Sequence, residues 1–459
     1  MSLEPLIPSK ICSPRPRIEM DSSQTTSIGR SREDRPILCL RRGRPSAALK
    51  LLVLAGQHGD ERSSRRTLQS FLDSPADEVA SRLPSIQLAI VPEANPDGCA
   101  ARSRCNADGL DLNRDHQLLL SDETAAIHQF VRRWQPHVIL DLHNYPSRRR
   151  HLLERNVVLN HDVFIDVPSH PAILARPSRV NCGEVLRDLL GAIAARNVCA
   201  GRYTIVGASD RARHSTPDVV DARNGLALRY GAFTLLVENR QPRRDETADE
   251  RLRLREAQER ALWAVLEWLD THHARFTTLA ALGPPAPGTP VPVHFKYCYA
   301  ASGLQLVCRD LHQGRPTCVT FSRYLASLVV RRAVALPAAY AVPSTLESLI
   351  SVLHRHGFAS SQFHAGELCR VEKLRIEPGR RRRRPDRPPR KVVLAVCQLS
   401  QDLDRYEVFS TQQRGGDSLA VFLEPESKHG LHRFTAVQLP LLAPSWYPVL
   451  RVLDRKAPR

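Results

Sequence analysis

Apolar positions along this chain fall into two patterns, short runs without alternation and longer stretches with a 3.6-residue period. Residues 36–40, 51–55, 86–91, 137–142 and 233–237 form the runs, and non-alternating runs predict strands covered on both faces. The first two are separated by a Gly/Pro/Arg turn and predict an opening hairpin that feeds a buried strand. Ser121 can cap a helix in which Ile127, Phe130, Val131 and Trp134 recur at i, i+3, i+4 and i+7. A second helix is predicted over 251–270, with Leu254, Ala257, Ala261, Leu262, Val265 and Leu269 on one face. Strands alternating with helices predict an α/β domain over residues 26–275: a mixed, mostly parallel central sheet with helices on both faces.

The pattern changes after residue 275. Residues 276–292 include LGPPAPGTPVP, whose five prolines can continue neither a helix nor a strand, and so read as a linker. Residues 293–459 predict a smaller, β-rich C-terminal domain with one helix near 344–354. Inside it, residues 378–391 (PGRRRRRPDRPPRK) carry eight basic side chains and one acidic one, and self-repulsion with proline predicts an exposed loop. Residues 1–25 predict a disordered tail.

Charge first suggests a different class of partner. The 459 residues hold 66 Lys+Arg against 48 Asp+Glu, a formal net charge of +18, which invites nucleic acid as a partner. By segment, however, the sums are +5 for 1–50, zero for 51–275 and +13 for 276–459. The middle of the chain is neutral, and the basic loop lacks interleaved aromatics for stacking bases. Both features argue against nucleic acid as the main partner. No stretch of 18 apolar residues predicts a membrane span. The first 24 residues lack the apolar core of a secretory signal, so the expected compartment is the cytoplasm, or an exported one if the true start lies upstream. The 11 Cys include no Cys-x-x-Cys pair, which excludes zinc-ribbon and thioredoxin-type motifs. Their spread fits free thiols, although Cys99 and Cys105 are close enough for a loop disulfide.

Candidate chemistry begins where the strand at 51–55 ends, in Gly56-Gln57-His58-Gly59-Asp60-Glu61. A His and a Glu three apart at a strand-to-helix turn can reach one metal ion. Two further His-x-x-Glu pairs, His151/Glu154 and His364/Glu367, show how weak the spacing is alone. Only the first stands at the carboxyl end of a predicted strand, where open α/β sheets bind ligands. Only the first is followed by another His closing a buried strand, His143 in Asp141-Leu142-His143-Asn144. Two nitrogens and one carboxylate leave a fourth tetrahedral position open, the arrangement of a catalytic zinc.

Five blocks then carry a resemblance: Leu54-Ala55-Gly56-Gln57-His58-Gly59-Asp60-Glu61; Asn95-Pro96-Asp97-Gly98; Arg104-Cys105-Asn106 through Asp111-Leu112-Asn113-Arg114; Asp141-Leu142-His143; and Leu236-Val237-Glu238-Asn239-Arg240. In order and approximate spacing they resemble the carboxypeptidase A-like zinc peptidases, over roughly residues 26–275. The resemblance implies one Zn2+ per chain held by His58, Glu61 and His143. It implies Glu238 as the general base that activates the attacking water, and Arg104 as the group that polarises the scissile carbonyl. It implies Asn113 and Arg114 as a clamp for the substrate's terminal carboxylate, and Asp111 as the group that orients His58. Asn95-Pro96-Asp97-Gly98 reads as a turn.

Alternatives stay open at several of these positions. Arg102 competes with Arg104. Glu238 could instead pair with Arg240, and Asp-Leu-Asn-Arg could be a surface turn. Tyr203 and Tyr230 are both candidates for the tyrosine that the familiar members close over the substrate. Asp60 stands where digestive members have Arg, and the residue reading the substrate's last side chain is expected somewhere in 207–224. Four segments of the second unit, at 338–343, 353–358, 423–427 and 447–451, resemble the C-terminal extension of some bacterial members. His354, His356 and His364 read there as solvated or core histidines before they read as a metal site.

The expected function is therefore that of a zinc metallocarboxypeptidase, a hydrolase acting on the C-terminal peptide bond. Its substrate would be a peptide or an acyl-amino acid with a free carboxylate. A related zinc amidohydrolase acting on N-acyl amino acids is the second enzymatic reading, and an Arg-rich anion- or nucleic-acid-binding protein is the non-enzymatic one.

Overall fold

A computed structural model describes residues 25–177, 180–279, 283–363, 368–376, 392–399, 403–439 and 445–456. The N-terminal tail, the arginine-rich loop and His364 lie outside the described residues.

The central sheet has eight strands in the order β1-β2-β4-β3-β5-β11-β7-β8: β1 (Thr25–Arg30), β2 (Pro36–Arg42), β3 (Leu49–Ala55), β4 (Ile86–Val91), β5 (Val138–Tyr145), β7 (Val163–Asp166), β8 (Ala200–Arg202) and β11 (Phe233–Arg240). Strands β4, β3, β5 and β11 are parallel neighbours, as are β7 and β8. The pairs β1–β2, β2–β4 and β11–β7 are antiparallel, so the sheet is mixed with a parallel centre. The opening hairpin is β1–β2. The apolar runs of β2 and β3 are not partners of each other, because β4 lies between them. A run covered on both faces carries no signal of which strand it will sit beside.

Both faces are covered. Leu51, Val53, Leu88 and Leu140 pack with Leu68, Phe71, Val185, Leu189, Ala261 and Val265 from the helices Arg62–Asp73, Cys182–Ala194 and Ala248–Thr271. Leu52, Leu54, Ala89 and Ile139 face the other way, toward Ile127, Val131 and Trp134 of helix Asp122–Trp134 and Leu226 of helix Ala222–Tyr230. Odd and even positions are both buried, which is why these strands do not alternate in sequence. Helix ends follow their expected chemistry. The Ser121 side chain accepts from Thr124 N, Asp122 and Glu123 occupy the first turn, and Arg132 and Arg133 the last, charges that suit the helix dipole. Thr247 and Glu250 form a capping box at the start of Ala248–Thr271.

Residues beyond 290 continue sheets begun earlier in the chain. The strand β15 (Arg323–Ala335) runs parallel to β10 (Arg211–His214), with β12 (Pro290–Tyr299) on its other edge and β9 (Thr204–Gly207) beyond β10. The strand β13 (Leu304–Asp310) joins β6 (Val157–Leu159) to β14 (Pro316–Phe321). The remaining strands build an antiparallel sheet around β16 (Ala339–Pro343). The helix predicted near 344–354 spans Glu347–Arg355, and a second one, Ser418–Leu423, is buried along its whole length. With no polar face, that short helix has no period to read. Leu118, Val219 and Leu228 share one apolar cluster with Val293, Tyr340 and Phe422, so strands and core cross the proline-rich segment. Among the described residues, no helix is long and apolar enough to cross a membrane.

Candidate metal centre

The site forms at the carboxyl ends of β3, β5 and β11. Gly56 leaves β3 with φ +69°, a left-handed turn that favours glycine. Gly59 lies so close to Gly98 that an added Cβ would fall 1.9 Å from the Gly98 carbonyl carbon. Asn95–Gly98, expected as a turn, is instead the N-cap and first turn of helix Pro96–Ala101: Asn95 accepts from Gly98 N at 2.8 Å and donates to the Gln57 carbonyl at 3.2 Å. This turn therefore shapes the loop that presents His58 and Glu61.

His58, Glu61 and His143 come together with ligand atoms all within 4.8 Å of one another, and all three are buried. His58 Nδ1 is 2.6 Å from Glu61 Oε1, His143 Nδ1 is 3.0 Å from Glu61 Oε2, and the two Nδ1 atoms are 3.2 Å apart. Each imidazole turns its other nitrogen to a carboxylate: His58 Nε2 lies 3.0 Å from Asp111 Oδ1, and His143 Nε2 3.0 Å from Asp141 Oδ1. Imidazoles backed by carboxylates, with the opposite nitrogens converging, fit a divalent cation. The electrostatics agree. Although burial opposes it, His143 and His58 hold the Glu61 carboxyl down at about 2. Against the same opposition, Asp111 and Glu61 raise His58, and Asp141 and Glu61 raise His143. Three carboxylates thus draw positive charge into one buried point. No other group of three such side chains with metal-ligand spacing occurs among the described residues.

Glu238 is the register partner of His143 on the adjacent parallel strand. Its Oε2 is buried without a hydrogen-bond partner, and burial above all pushes the carboxyl up to about 7. The alternative pairing with Arg240 does not occur, because Arg240 binds Glu246. Arg104, not Arg102, reaches the site. Its Nε and Nη2 each lie 3.0 Å from Asp111 Oδ2, and its Nη1 lies 3.8 Å from Glu61, whereas Arg102 is the left-handed cap of helix Pro96–Ala101. Asn113 accepts from Ala222 N at 2.8 Å and places its Nδ2 3.1 Å from His143 Nε2. Arg114 is exposed, with Nη1 on the Asn113 carbonyl at 2.6 Å.

The structure separates the two tyrosines. Tyr230 is buried against His128, whereas the Tyr203 hydroxyl neighbours Glu238, which together with burial raises it, and shares a hydrogen bond with Arg149. The strand motif did not single out Asp141, although its i, i+2 relation to His143 puts both on one face. Arg149, in a run of three arginines, carries no signal at all. Cys99 and Cys105 are free thiols. His354 pairs with Glu407, and His356 is buried with Nε2 on the Gln117 carbonyl.

Comparison with known proteins finds similarity over the first part of the chain. Residues 19–148 match the family model for zinc carboxypeptidases, Peptidase_M14. Over that stretch the chain is similar to zinc carboxypeptidases. A probable carboxypeptidase 2 of Trichophyton verrucosum is 26% identical over 147 residues, covering 31% of this chain and 27% of the relative. Murein peptide amidase A of Escherichia coli is 38% identical over 104 residues, 22% of this chain and 40% of the relative. The chain thus spans well under half the length of these curated relatives. A metallo-carboxypeptidase of Pseudomonas aeruginosa, solved with (2-guanidinoethylmercapto)succinic acid, superposes with a TM-score of 0.42 at 23% identity, over 55% of this chain and 65% of that one. Within the zinc carboxypeptidase match lie His58, Glu61, Arg104, Asp111, Asn113, Arg114 and His143. Glu238 lies outside it and enters the site through strand pairing alone.

Proposed function

We propose that the protein is a zinc-dependent exopeptidase that hydrolyses the amide bond next to a free terminal carboxylate, with His58, Glu61 and His143 as the zinc ligands. The observation that carries this reading is the convergence of two carboxylate-backed imidazole Nδ1 atoms and Glu61 beside a buried, unpartnered Glu238 oxygen. His58, Glu61 and His143 would hold the ion, which when bound would supply Lewis acidity, able to polarise a carbonyl and to lower the pKa of water from 15.7 to about 7. Glu238, whose buried Oε2 has no hydrogen-bond partner, takes the proton of the attacking water and delivers it to the leaving amine. Arg104, held by Asp111, offers its guanidinium to the oxyanion that develops on the scissile carbonyl. Asn113 and Arg114 receive the substrate carboxylate, the amide fixing its position and the exposed guanidinium supplying a planar fork.

A second reading keeps the chemistry and changes the substrate. The 38% identity to a protein named murein peptide amidase exceeds that to the fungal carboxypeptidases, which favours a small acyl or peptide amide as substrate. Assaying a panel of peptides against N-acyl amino acids and small peptide amides separates the two. Absence of turnover across the whole panel by the zinc-loaded chain would remove both.

A further inference from the structure

Behind Asp141 runs a line of buried polar groups that the proposed reaction does not use. Gln57 Nε2 donates to Asp141 Oδ1 at 2.6 Å, and Gln57 Oε1 meets His116 Nε2 at 2.8 Å. His116 Nδ1 lies 3.1 Å from His128 Nε2, and His128 Nδ1 lies 3.0 Å from the Tyr230 hydroxyl. Gln57, His116 and His128 are fully buried or nearly so, and Tyr230 is 5% exposed. Ring contacts accompany the bonds, with His116 and His128 centroids 5.3 Å apart and His128 and Tyr230 5.4 Å apart.

Donor and acceptor chemistry gives this line one direction. A carboxylate oxygen accepts, so Gln57 turns its NH2 to Asp141 and its carbonyl to His116. His116 then carries its proton on Nε2 and leaves Nδ1 bare. His128 must donate from Nε2 to that bare nitrogen, which leaves its own Nδ1 to accept from Tyr230. Burial favours this neutral state in both rings: it lowers His116 to about 4 and His128 well below the ordinary histidine value. Every bond therefore points from Tyr230 toward Asp141, and each ring is confined to one tautomer.

The far end is sealed by the C-terminal half of the chain. His356 sets its ring edge-on to His128 at 5.3 Å and 79°, donates from Nε2 to the Gln117 carbonyl at 3.0 Å, and its own carbonyl accepts from Arg229 Nε at 3.0 Å.

We propose that Tyr230, His128, His116 and Gln57 are positioning residues, a one-way hydrogen-bond relay that fixes Asp141 and, through it, the orientation in which His143 turns Nδ1 to the metal. The inference rests on the zinc reading of His58, Glu61 and His143. A carboxylate behind a metal-bound imidazole sets ring orientation and basicity, and its loss costs 10- to 100-fold in metal affinity. The relay extends that support across four further groups to the packing of the second half of the molecule.

The test uses the full chain. In metal-free protein with 15N-labelled histidine, His116 and His128 are expected neutral with the proton on Nε2 between pH 5.5 and 8, and Tyr230→Phe, which removes one hydroxyl, is expected to shift the tautomer balance at His128 and His116. Zinc affinity, measured by competition with a chromophoric chelator, is expected to fall about tenfold or more in Gln57→Leu and His116→Phe, with thermal melting used to establish that each is folded. Folded variants that bind zinc as tightly as the parent would overturn the relay, as would an Nδ1–H tautomer at either ring. A parent chain that binds no zinc would remove the metal reading, while the 15N pattern would still decide the relay. Should the larger substitutions not fold, Tyr230→Phe and the parent spectrum decide it alone.

Discussion

Glu238 and His143 stand side by side, in register, on the adjacent parallel strands β11 and β5. Asp141 and His143 share one face of β5 by the two-residue period, and Glu238 lies beside that face. The buried Glu238 Oε2 has no donor opposite it, a costly state for a group with no task. Glu238→Gln keeps the shape and removes the proposed base. Turnover is expected to fall by about 10²- to 10⁴-fold with zinc content and melting temperature unchanged. Activity that survives this substitution would assign the base elsewhere.

Metal content tests the cluster itself. One zinc per chain is expected in the purified protein, and His143→Ala or His58→Ala is expected to abolish it. Chelation should lower the melting temperature of the parent, since a ligand bound only by the folded state stabilises that state. Neither alanine variant should respond to the chelator.

Arg104 and Arg114 are expected to fail differently. Arg104 is held on Asp111 beside the cluster, where its charge faces the reacting carbonyl in the proposed mechanism. Arg104→Ala should lower kcat by about 10²- to 10³-fold with little change in KM. Arg114 is exposed and receives the substrate's carboxylate in the proposed mechanism, so Arg114→Ala should act mainly on KM. Steady-state kinetics on one peptide checks both, and the opposite split would exchange their roles.

Much of this site was legible in the sequence because its residues sit at strand ends inside short contiguous blocks. His58 and Glu61 follow β3, His143 closes β5 and Glu238 closes β11, each after an apolar run. The helix at 122–134 was legible through period and its Ser121 cap, and the one at 248–271 through period alone, read over 251–270 without its Thr247 cap. What stayed hidden depends on pairing between distant segments. Nothing local says that β4 separates β2 from β3, or that β15 joins β10 from more than a hundred residues away. The relay members Gln57, His116, His128 and Tyr230 are ordinary core polar residues until the fold aligns them. Tyr203 could be separated from Tyr230 only by what each touches.

Asp221 makes a pH-dependent prediction. It caps helix Ala222–Tyr230 by accepting from Asn224 N at 2.9 Å, and burial pushes its carboxyl from the usual 3.8 up to about 6. The folded state therefore holds a proton that the unfolded chain releases. The associated stability is fully present below about pH 4 and is lost as pH rises through about 6. At neutral pH the parent carries the cost of that ionised group, about 3 kcal/mol at most. Asp221→Asn keeps the capping oxygen and removes the charge. Its melting temperature should match the parent near pH 4 and exceed it increasingly up to pH 7. A constant gap across that window would contradict the assignment.

The C-terminal half offers a test of its own at Arg451. This guanidinium is nearly buried, bonds Glu424 through Nε at 2.7 Å and again through Nη2, and reaches Glu372 at 3.0 Å. Glu424 is wholly buried and also accepts from the Tyr340 hydroxyl at 2.6 Å. Removing one partner of a buried pair strands the other charge, at about 3–5 kcal/mol. Arg451→Met should destabilise by that amount in denaturant unfolding. Replacing Glu424 by Met as well removes the stranded charge, and the double variant should recover most of the loss. Because Tyr340 shares an apolar cluster with Leu118 and Leu228, the single variant should also loosen the region around His356 that seals the relay. Hydrogen exchange at helix Ala222–Tyr230 is therefore expected to quicken in Arg451→Met and to return toward the parent rate in the double variant; unchanged exchange in the single variant would mean that the two halves unfold independently.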